Sequence, residues 1–333
     1  MSSDKIQTDI QRPDVSVVIV SWNVRDLLQQ TLETLYRESR DVSFETVVVD
    51  NGSTDGSVEL VRESWQQVRL ISLPENRGFA VGNNVGFKEA RGRYILLLNS
   101  DTIVLPTTLP GMISFLDKNP KVGCVGARHL NADGTLQRSI DNFPSLLNDF
   151  LSYSELHRLS VLQPFLRRRF PWWSDHDQVR DVDWVNGACM MVRSEVIEQL
   201  GGLDEGYFIY AEEIDWCYRM VQAGWRVCFT PEAEIIHLGG QAMNRAADRR
   251  IVLKYKGQYR FYSKHYPLWK YVVLRAIVTG VAIPRIVILL LLHLFSGRRR
   301  NNLLRWQGLT QEPVATEPLI MLRAWWKVLW LPL

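Results

Sequence analysis

Short β-branched apolar runs alternate with segments of helical period through the first 130 residues, and this rhythm constrains the fold more than anything else in the chain. The runs are Val15 to Val20, Phe44 to Val49, Val68 to Leu73, Tyr94 to Leu98 and Val122 to Val125. Between them, Leu27, Leu28, Thr31, Leu32 and Leu35 keep helical spacing, as do Val58, Val61 and Trp65. Strands apolar on both faces, separated by amphipathic helices, are the pattern of β-α-β units around a buried parallel sheet. The expected class is therefore α/β, a mainly parallel sheet flanked by helices. Ligands of such sheets bind outside the carboxyl ends of the strands, so the residues just past each strand are the ones to read.

Those residues are polar. Ser21-Trp22-Asn23 follows the first strand, Asp50-Asn51-Gly52-Ser53-Thr54-Asp55-Gly56 the second, and Asn99-Ser100-Asp101 the Tyr94 strand. Each Asp or Asn has a bland use in a turn or helix cap. Their recurrence at several strand ends points to a ligand. Asp50 is placed to hydrogen-bond a base or sugar hydroxyl. The loop after it is neither a P-loop nor G-x-G-x-x-G. Asp101, in a tight polar turn, can supply one ligand to a divalent cation that neutralises a diphosphate.

Asn76 to Gly86 opens a helix with Gly78, Gly82 and Gly86 four apart. Each glycine costs roughly 1 kcal/mol against Ala inside a helix, so three on one face need a reason. Close packing on the sheet and close approach of a ligand both supply one. Arg77, at the helix start, suits a base or phosphate contact. Further on, Tyr207-Phe208-Ile209-Tyr210 runs directly into Glu212, Glu213 and Asp215 in the first turn of another helix. A helix N-terminus welcomes acids. Aromatic neighbours would also desolvate them, raising a carboxyl pKa toward a value that suits a general base. Glu213 and Asp215 lie about 200° apart on a helix, so one faces a pocket while the other serves structure, with Arg219 as a candidate partner. His237 stands at another strand end, after Ile235-Ile236.

The net charge of +3 conceals an asymmetry: residues 1–240 carry −10 and residues 241–333 carry +13. The tail therefore meets a different partner. Tyr271 to Phe295 is strongly apolar but broken by Arg275, Pro284 and Arg285, and Arg298-Arg299-Arg300 follows. An arginine at the centre of a span costs roughly 2.5–3.5 kcal/mol on insertion scales, which favours helices lying in the interface over a span. Trp325, Trp326 and Trp330 with Arg323 and Lys327 suit an interfacial helix. An anionic membrane surface, not nucleic acid, is the expected partner; a helical subdomain or a homo-oligomer contact is the alternative use. Residues 1–12 are polar and read as a flexible N-terminus without a signal peptide. Cys124, Cys189, Cys217 and Cys228 form no C-x-x-C pair and read as buried thiols in a reducing compartment. Residues 135–180, with Pro144, Pro164, Pro171 and Arg167-Arg168-Arg169, read as a mobile or helical insertion.

Six segments in order, VSVVIVSWN, VVVDNGSTDGS, NRGFAVGNN, LLLNSD, WVNGACMMVR and FIYAEEIDWCYR through IIH, resemble family 2 glycosyltransferases of the GT-A fold, and most of all their rhamnosyltransferase-like branch. The resemblance covers Val15 to Gly240. It implies a Rossmann-like GT-A catalytic domain over residues 13–245, with a basic, apolar and helical membrane-associating appendage over 246–333. It further implies a nucleotide-sugar donor site drawn from Ser21, Trp22, Asn23, Asp50, Arg77, Gly78, Asn83, Ser100 and Asp101. Mg²⁺ or Mn²⁺ would sit on Asp101 and His237, and the acceptor would meet Trp184, Asn186 and Gly187. Among Glu212, Glu213 and Asp215, Glu213 occupies the position of the family's catalytic base. Two departures stand out: Glu213 replaces an Asp, and Asn99 replaces the first acid of the family's D-x-D.

The implied reaction is one inverting displacement, in which Glu213 takes a proton from an acceptor hydroxyl. The expected donor is dTDP-L-rhamnose, and the acceptor a lipid-linked saccharide of bacterial surface polysaccharide synthesis, handled on the cytoplasmic face of the membrane. A UDP-hexose donor and a catalytically impaired nucleotide-sugar-binding protein are the alternatives. A sugar nucleotidyltransferase would need a glycine-rich basic loop where this chain has Ser21-Trp22-Asn23-Val24.

Overall fold

The computed structural model describes residues 12–154, 161, 164, 176–239, 247–294 and 318–331. The basic run Arg167-Arg168-Arg169, Pro171, Arg298-Arg299-Arg300 and most of the N-terminal dozen lie outside them. Twelve strands occur among the described residues: β1 Val15–Ser21, β2 Phe44–Asp50, β3 Arg69–Ser72, β4 Tyr94–Asn99, β5 Thr102–Val104, β6 Val122–Leu130, β7 Leu136–Gln137, β8 Ile140–Asp141, β9 Arg180–Asp181, β10 Trp184–Val185, β11 Cys189–Arg193 and β12 Arg226–His237. The main sheet runs β3-β2-β1-β4-β11-β6-β12-β5, with β7 beside β6 and β9 beside β12.

The expected β-α-β half is present. β1 lies parallel to β2 and β4, in a register that sets Ser21 against Asp50 and Val20 against Asn99. Three polar strand ends thus share one edge. Helices Arg25–Glu38 and Thr108–Lys118 cover one face through Leu28, Leu32, Leu35, Leu109, Met112 and Leu116, all fully buried. The far half is mixed. β11 runs antiparallel to both β4 and β6. The strand expected to end at His237 is the long β12, whose pairing with β6 is interrupted between Thr230 and Glu234. β5 pairs antiparallel with β12, setting Thr102 opposite His237.

The glycine stripe is resolved by its neighbours. In helix Phe79–Glu89, a Cβ on Gly82 would stand 2.8 Å from Val20 Cγ1, and one on Gly86 would stand 2.3 Å from Val18 Cγ1. These two glycines bring the helix down onto β1. Gly86→Ala should lose about 1–3 kcal/mol through forced repacking, read as a lower midpoint in urea. An unchanged midpoint would show that the helix can lift without penalty.

Three helices, Ala247–His265, Leu268–Leu294 and Pro318–Leu329, form the C-terminal layer. They share a core of Tyr255, Tyr259, Phe261, Tyr262, Tyr271, Leu274 and Trp325. The insertion contributes to it: Tyr153, from helix Leu146–Tyr153, packs there. The stretch Leu268–Leu291 is long and apolar enough to cross a membrane, with a mean hydropathy of 2.1. Its two arginines turn inward. Arg275 donates to Leu331 O at 2.7 Å and Arg285 to Tyr153 O at 2.9 Å. Left outside are Trp269, Val272, Val273, Val287, Leu290 and Leu291, beside exposed Trp326 and Trp330. The layer is therefore suited to associate with a membrane. All four cysteines are buried and free.

Candidate active site

One cleft opens at the carboxyl edge of the sheet. Ser21 at the end of β1 with Trp22 after it, Asn99 at the end of β4 with Ser100 and Asp101 after it, Asn186 and Gly187 before β11, Glu212 and Glu213, and His237 all line it, as does Gly78.

At the β1–β2 end, Asp50 is buried and absent from the cleft lining, and its Oδ2 accepts from Ser53 N at 2.9 Å. Its Oδ1 and Ser21 Oγ are buried without a protein partner. Buried oxygens left unbonded are costly unless a ligand meets them. Asn51, unremarked in the sequence, holds the next loop in place. Its Nδ2 donates to Gly78 O at 3.0 Å and its Oδ1 accepts from Arg77 N at 2.9 Å. The Arg77 side chain is exposed and absent from the cleft lining. Asn23 and Asn83 also turn to structure. Asn23 has φ +53° and accepts from Thr54 N at 2.7 Å; Asn83 donates to Phe79 O at 2.9 Å. Trp184 donates to Asn142 O at 2.9 Å and likewise lies outside the lining.

Asp101 and His237 meet because β5 returns beside β12. Leu238 N donates to Asp101 O at 2.9 Å, and Asp101 Oδ1 stands 3.3 Å from His237 Nε2. Asn99 Nδ2 lies 3.3 Å from the same nitrogen. No group of three or more His, Cys, Asp or Glu side chains able to hold a metal occurs among the described residues. One carboxylate and one imidazole are nonetheless a workable set for a cation that takes its remaining ligands from phosphate and water. Asp101 and His237 are both nearly buried and converge, so the residues fit such an ion.

Opposite them stand the acids. Tyr210 and Ala211 both hold φ of +74°, a left-handed conformation that costs non-glycine residues roughly 1–3 kcal/mol. Contacts on both sides enforce it. Phe79 N donates to Phe208 O at 2.7 Å, and Gly78, at φ +91°, has no room for a Cβ against Phe208 O, 2.4 Å away. From the other side, Gly257 of the appendage packs so tightly that a Cβ would meet Tyr210 O at 2.4 Å. The turn aims Glu212 and Glu213 into the cleft. Each has an Oε2 that is buried and unpartnered. Burial raises the Glu213 carboxyl to about 7. Burial, then the charge of Glu213, raises the Glu212 carboxyl well above the usual carboxylate range. Gly187 is in contact range of Glu213, 3.7 Å from its Cβ to the position a Gly187 Cβ would take.

Asp215, grouped with these acids on sequence, points the other way. It is fully buried and bonds Arg219 Nε at 2.8 Å, Lys264 Nζ at 2.7 Å and His265 Nε2 at 2.7 Å. Burial alone would raise its carboxyl; hydrogen bonds from His265, Lys264 and Arg219 outweigh that and hold it far below the usual range. Two of the three partners belong to the appendage. Sequence spacing offered Arg219 four residues on, but gave no signal for the other two.

A family model described as glycosyl transferase family 2 matches residues 16–181. The chain is 28% identical over 303 residues to an N-acetylglucosaminyl-diphospho-decaprenol L-rhamnosyltransferase of Mycobacterium tuberculosis, covering 86% of this chain and 95% of that one. It is 27% identical over 233 residues to a rhamnosyltransferase of Escherichia coli, covering 67% and 83%. A solved mannosyltransferase from Pyrobaculum calidifontis, in complex with GDP-Man and Mn²⁺, superposes with a TM-score of 0.55 at 18% identity, covering 96% of this chain and 88% of that one. Its fold is the one described here, the GT-A arrangement. With the strand-end chemistry in register and these relatives beside it, the chain belongs to the family 2 glycosyltransferases and is rhamnosyltransferase-like.

Proposed function

We propose that the chain transfers L-rhamnose, with inversion, from dTDP-L-rhamnose to a hydroxyl of a lipid-linked saccharide in bacterial surface polysaccharide synthesis. One observation carries this: the unpartnered Oε2 of Glu213 and the Asp101–His237 pair open on the same cleft, with Asn186 and Gly187 beside Glu213. Asp50 and Ser21 take the base through their unbonded oxygens. Asp101 and His237 hold Mg²⁺ or Mn²⁺, which supplies charge neutralisation for the departing diphosphate. Glu213 accepts the proton of the acceptor hydroxyl, and that oxygen attacks the anomeric carbon from the face away from the diphosphate. Glu212, its carboxyl raised by burial and then by the charge of Glu213, is the neighbour of the base and not the base itself.

The names of the M. tuberculosis and E. coli relatives support rhamnose, and the first supports a polyprenyl-diphosphate-linked acceptor. Such an acceptor accounts for the appendage. Arg275 and Arg285 are folded inward and the exposed face of their helix is apolar and flanked by tryptophans, as for a layer lying on the inner face of the cell membrane.

Thermal shift against a panel of nucleotide sugars, each with Mg²⁺ and with Mn²⁺, tests the donor. The largest stabilisation is expected with dTDP-L-rhamnose, at roughly 2.7 kcal/mol when ligand stands at 100 times Kd. A clear preference for a UDP-hexose would overturn the donor assignment. Donor binding without release of nucleoside diphosphate in the presence of acceptor lipid would favour a binding protein.

A further inference from the structure

Gln137 forms the two-residue strand β7, antiparallel to β6, and nothing in the motif pattern singles it out. Its amide is oriented without ambiguity. Nε2 lies 3.0 Å from the backbone carbonyl of His237 and 2.9 Å from Asn131 Oδ1. Both are acceptors, so the amide nitrogen faces them; the flipped amide would set oxygen against oxygen. Oε1 therefore faces His237 Nδ1, at 2.7 Å. An amide oxygen only accepts, so Nδ1 carries the hydrogen and donates it. This is the shortest contact of the ring. The two at Nε2, to Asp101 Oδ1 and to Asn99 Nδ2, are both 3.3 Å. The Asn99 amide donates to the Nε2 lone pair in this tautomer. The ring of His129 packs edge-on at 5.9 Å and limits rotation of the imidazole.

We infer that Gln137 is a positioning residue for the cation site: by fixing the Nδ1–H tautomer and the ring plane, it presents the His237 Nε2 lone pair beside Asp101. The inference rests on the proposed metal site. It adds the residue that prepares the imidazole before any ion arrives, the service that outer partners of metal-bound histidines perform, at typically 10–100-fold in affinity.

The test uses the full chain and two readouts. Nitrogen-15 NMR of labelled histidine, on protein without metal, reads the tautomer of His237, identified by its loss in His237→Ala. Titration with Mn²⁺, followed by electron paramagnetic resonance, reads the affinity. Wild type is expected to show a protonated Nδ1 and a bare Nε2. Gln137→Leu should show mixed tautomers and bind Mn²⁺ about 10-fold more weakly. Gln137→Glu keeps an acceptor toward Nδ1 while disturbing the amide's own two donor bonds. It should retain the tautomer and bind more tightly than the Leu variant; a role limited to holding β7 in place predicts the reverse order. If Gln137→Leu keeps both tautomer and affinity while His237→Ala loses Mn²⁺, the inference about Gln137 is overturned and the metal site stands. If His237→Ala binds Mn²⁺ as wild type does, the metal-site reading fails and this inference fails with it.

Discussion

Glu213→Gln is expected to lower sugar transfer by about 10²- to 10⁴-fold, the range of a lost general base, while donor binding stays near wild type. Gln keeps the shape and hydrogen-bonding length of Glu but cannot take a proton. The turn that aims the side chain is held by backbone contacts, from Phe79 to Phe208 and from Gly257 to Tyr210, so the substitution leaves it in place. Glu212→Gln is the contrasting variant. Glu212 is the more deeply buried of the two, and its carboxyl is raised by burial first and the charge of Glu213 second. Its carboxyl is not the one proposed to take the proton, so an amide of the same shape should preserve most of the rate. The pH profile follows in sign. Glu213 must be ionised to act, and burial has moved it to about 7. Transfer by wild type should rise with pH through an acid limb near that value, and Glu212→Gln should keep the limb. Full transfer by Glu213→Gln would remove Glu213 from the base role. A limb near pH 4 would mean the side chain is solvated in the working enzyme.

The near half of the molecule was legible because its physics is local. A parallel sheet buries both faces, so β1, β2 and β4 announce themselves as β-branched runs, and the strand-end rule then selects Ser21, Asp50 and Asp101. The far half depends on where the chain returns. Thr102 to Val104 follows β4 by three residues yet pairs at the opposite edge of the sheet with β12. That excursion, invisible to periodicity, is what sets His237 beside Asp101. Gln137 has no motif because its role is made by a strand two residues long. Arg77, Asn23, Asn83 and Trp184 carried plausible chemistry by type, but backbone groups claim three of those side chains and solvent claims the first. The two φ-positive residues before Glu212 were equally hidden. Neither Tyr nor Ala favours that conformation, and only tertiary contacts hold it.

The appendage governs that same helix through Asp215, and removing its charge should show how much. Asp215→Asn is expected to destabilise the protein by about 3 kcal/mol, since breaking a buried ion pair from one side leaves the other charges uncompensated. Arg219 keeps bonds to Leu200 O and Gly202 O, and Lys264 keeps Asp204, which places the effect at the lower end of the range for buried pairs. For a protein of this size, such a loss corresponds to a melting temperature lower by about 4 °C. The pH dependence separates charge loss from a packing defect. The folded-state carboxyl lies below its unfolded value of 3.8. Its contribution is present in full above that value and is lost as pH falls through the lower folded one. The gap between wild type and Asp215→Asn should therefore narrow as pH falls below about 4. A packing defect would give a gap indifferent to pH. Hydrogen exchange locates the consequence: helices Glu212–Gln222 and Ala247–His265 should both lose protection while β1 and β4 keep theirs. If only the appendage loosens, Asp215 anchors that layer without transmitting anything to the catalytic turn. If both do, the C-terminal layer and the turn carrying Glu213 share one structural unit, and whatever seats that layer also seats Glu213.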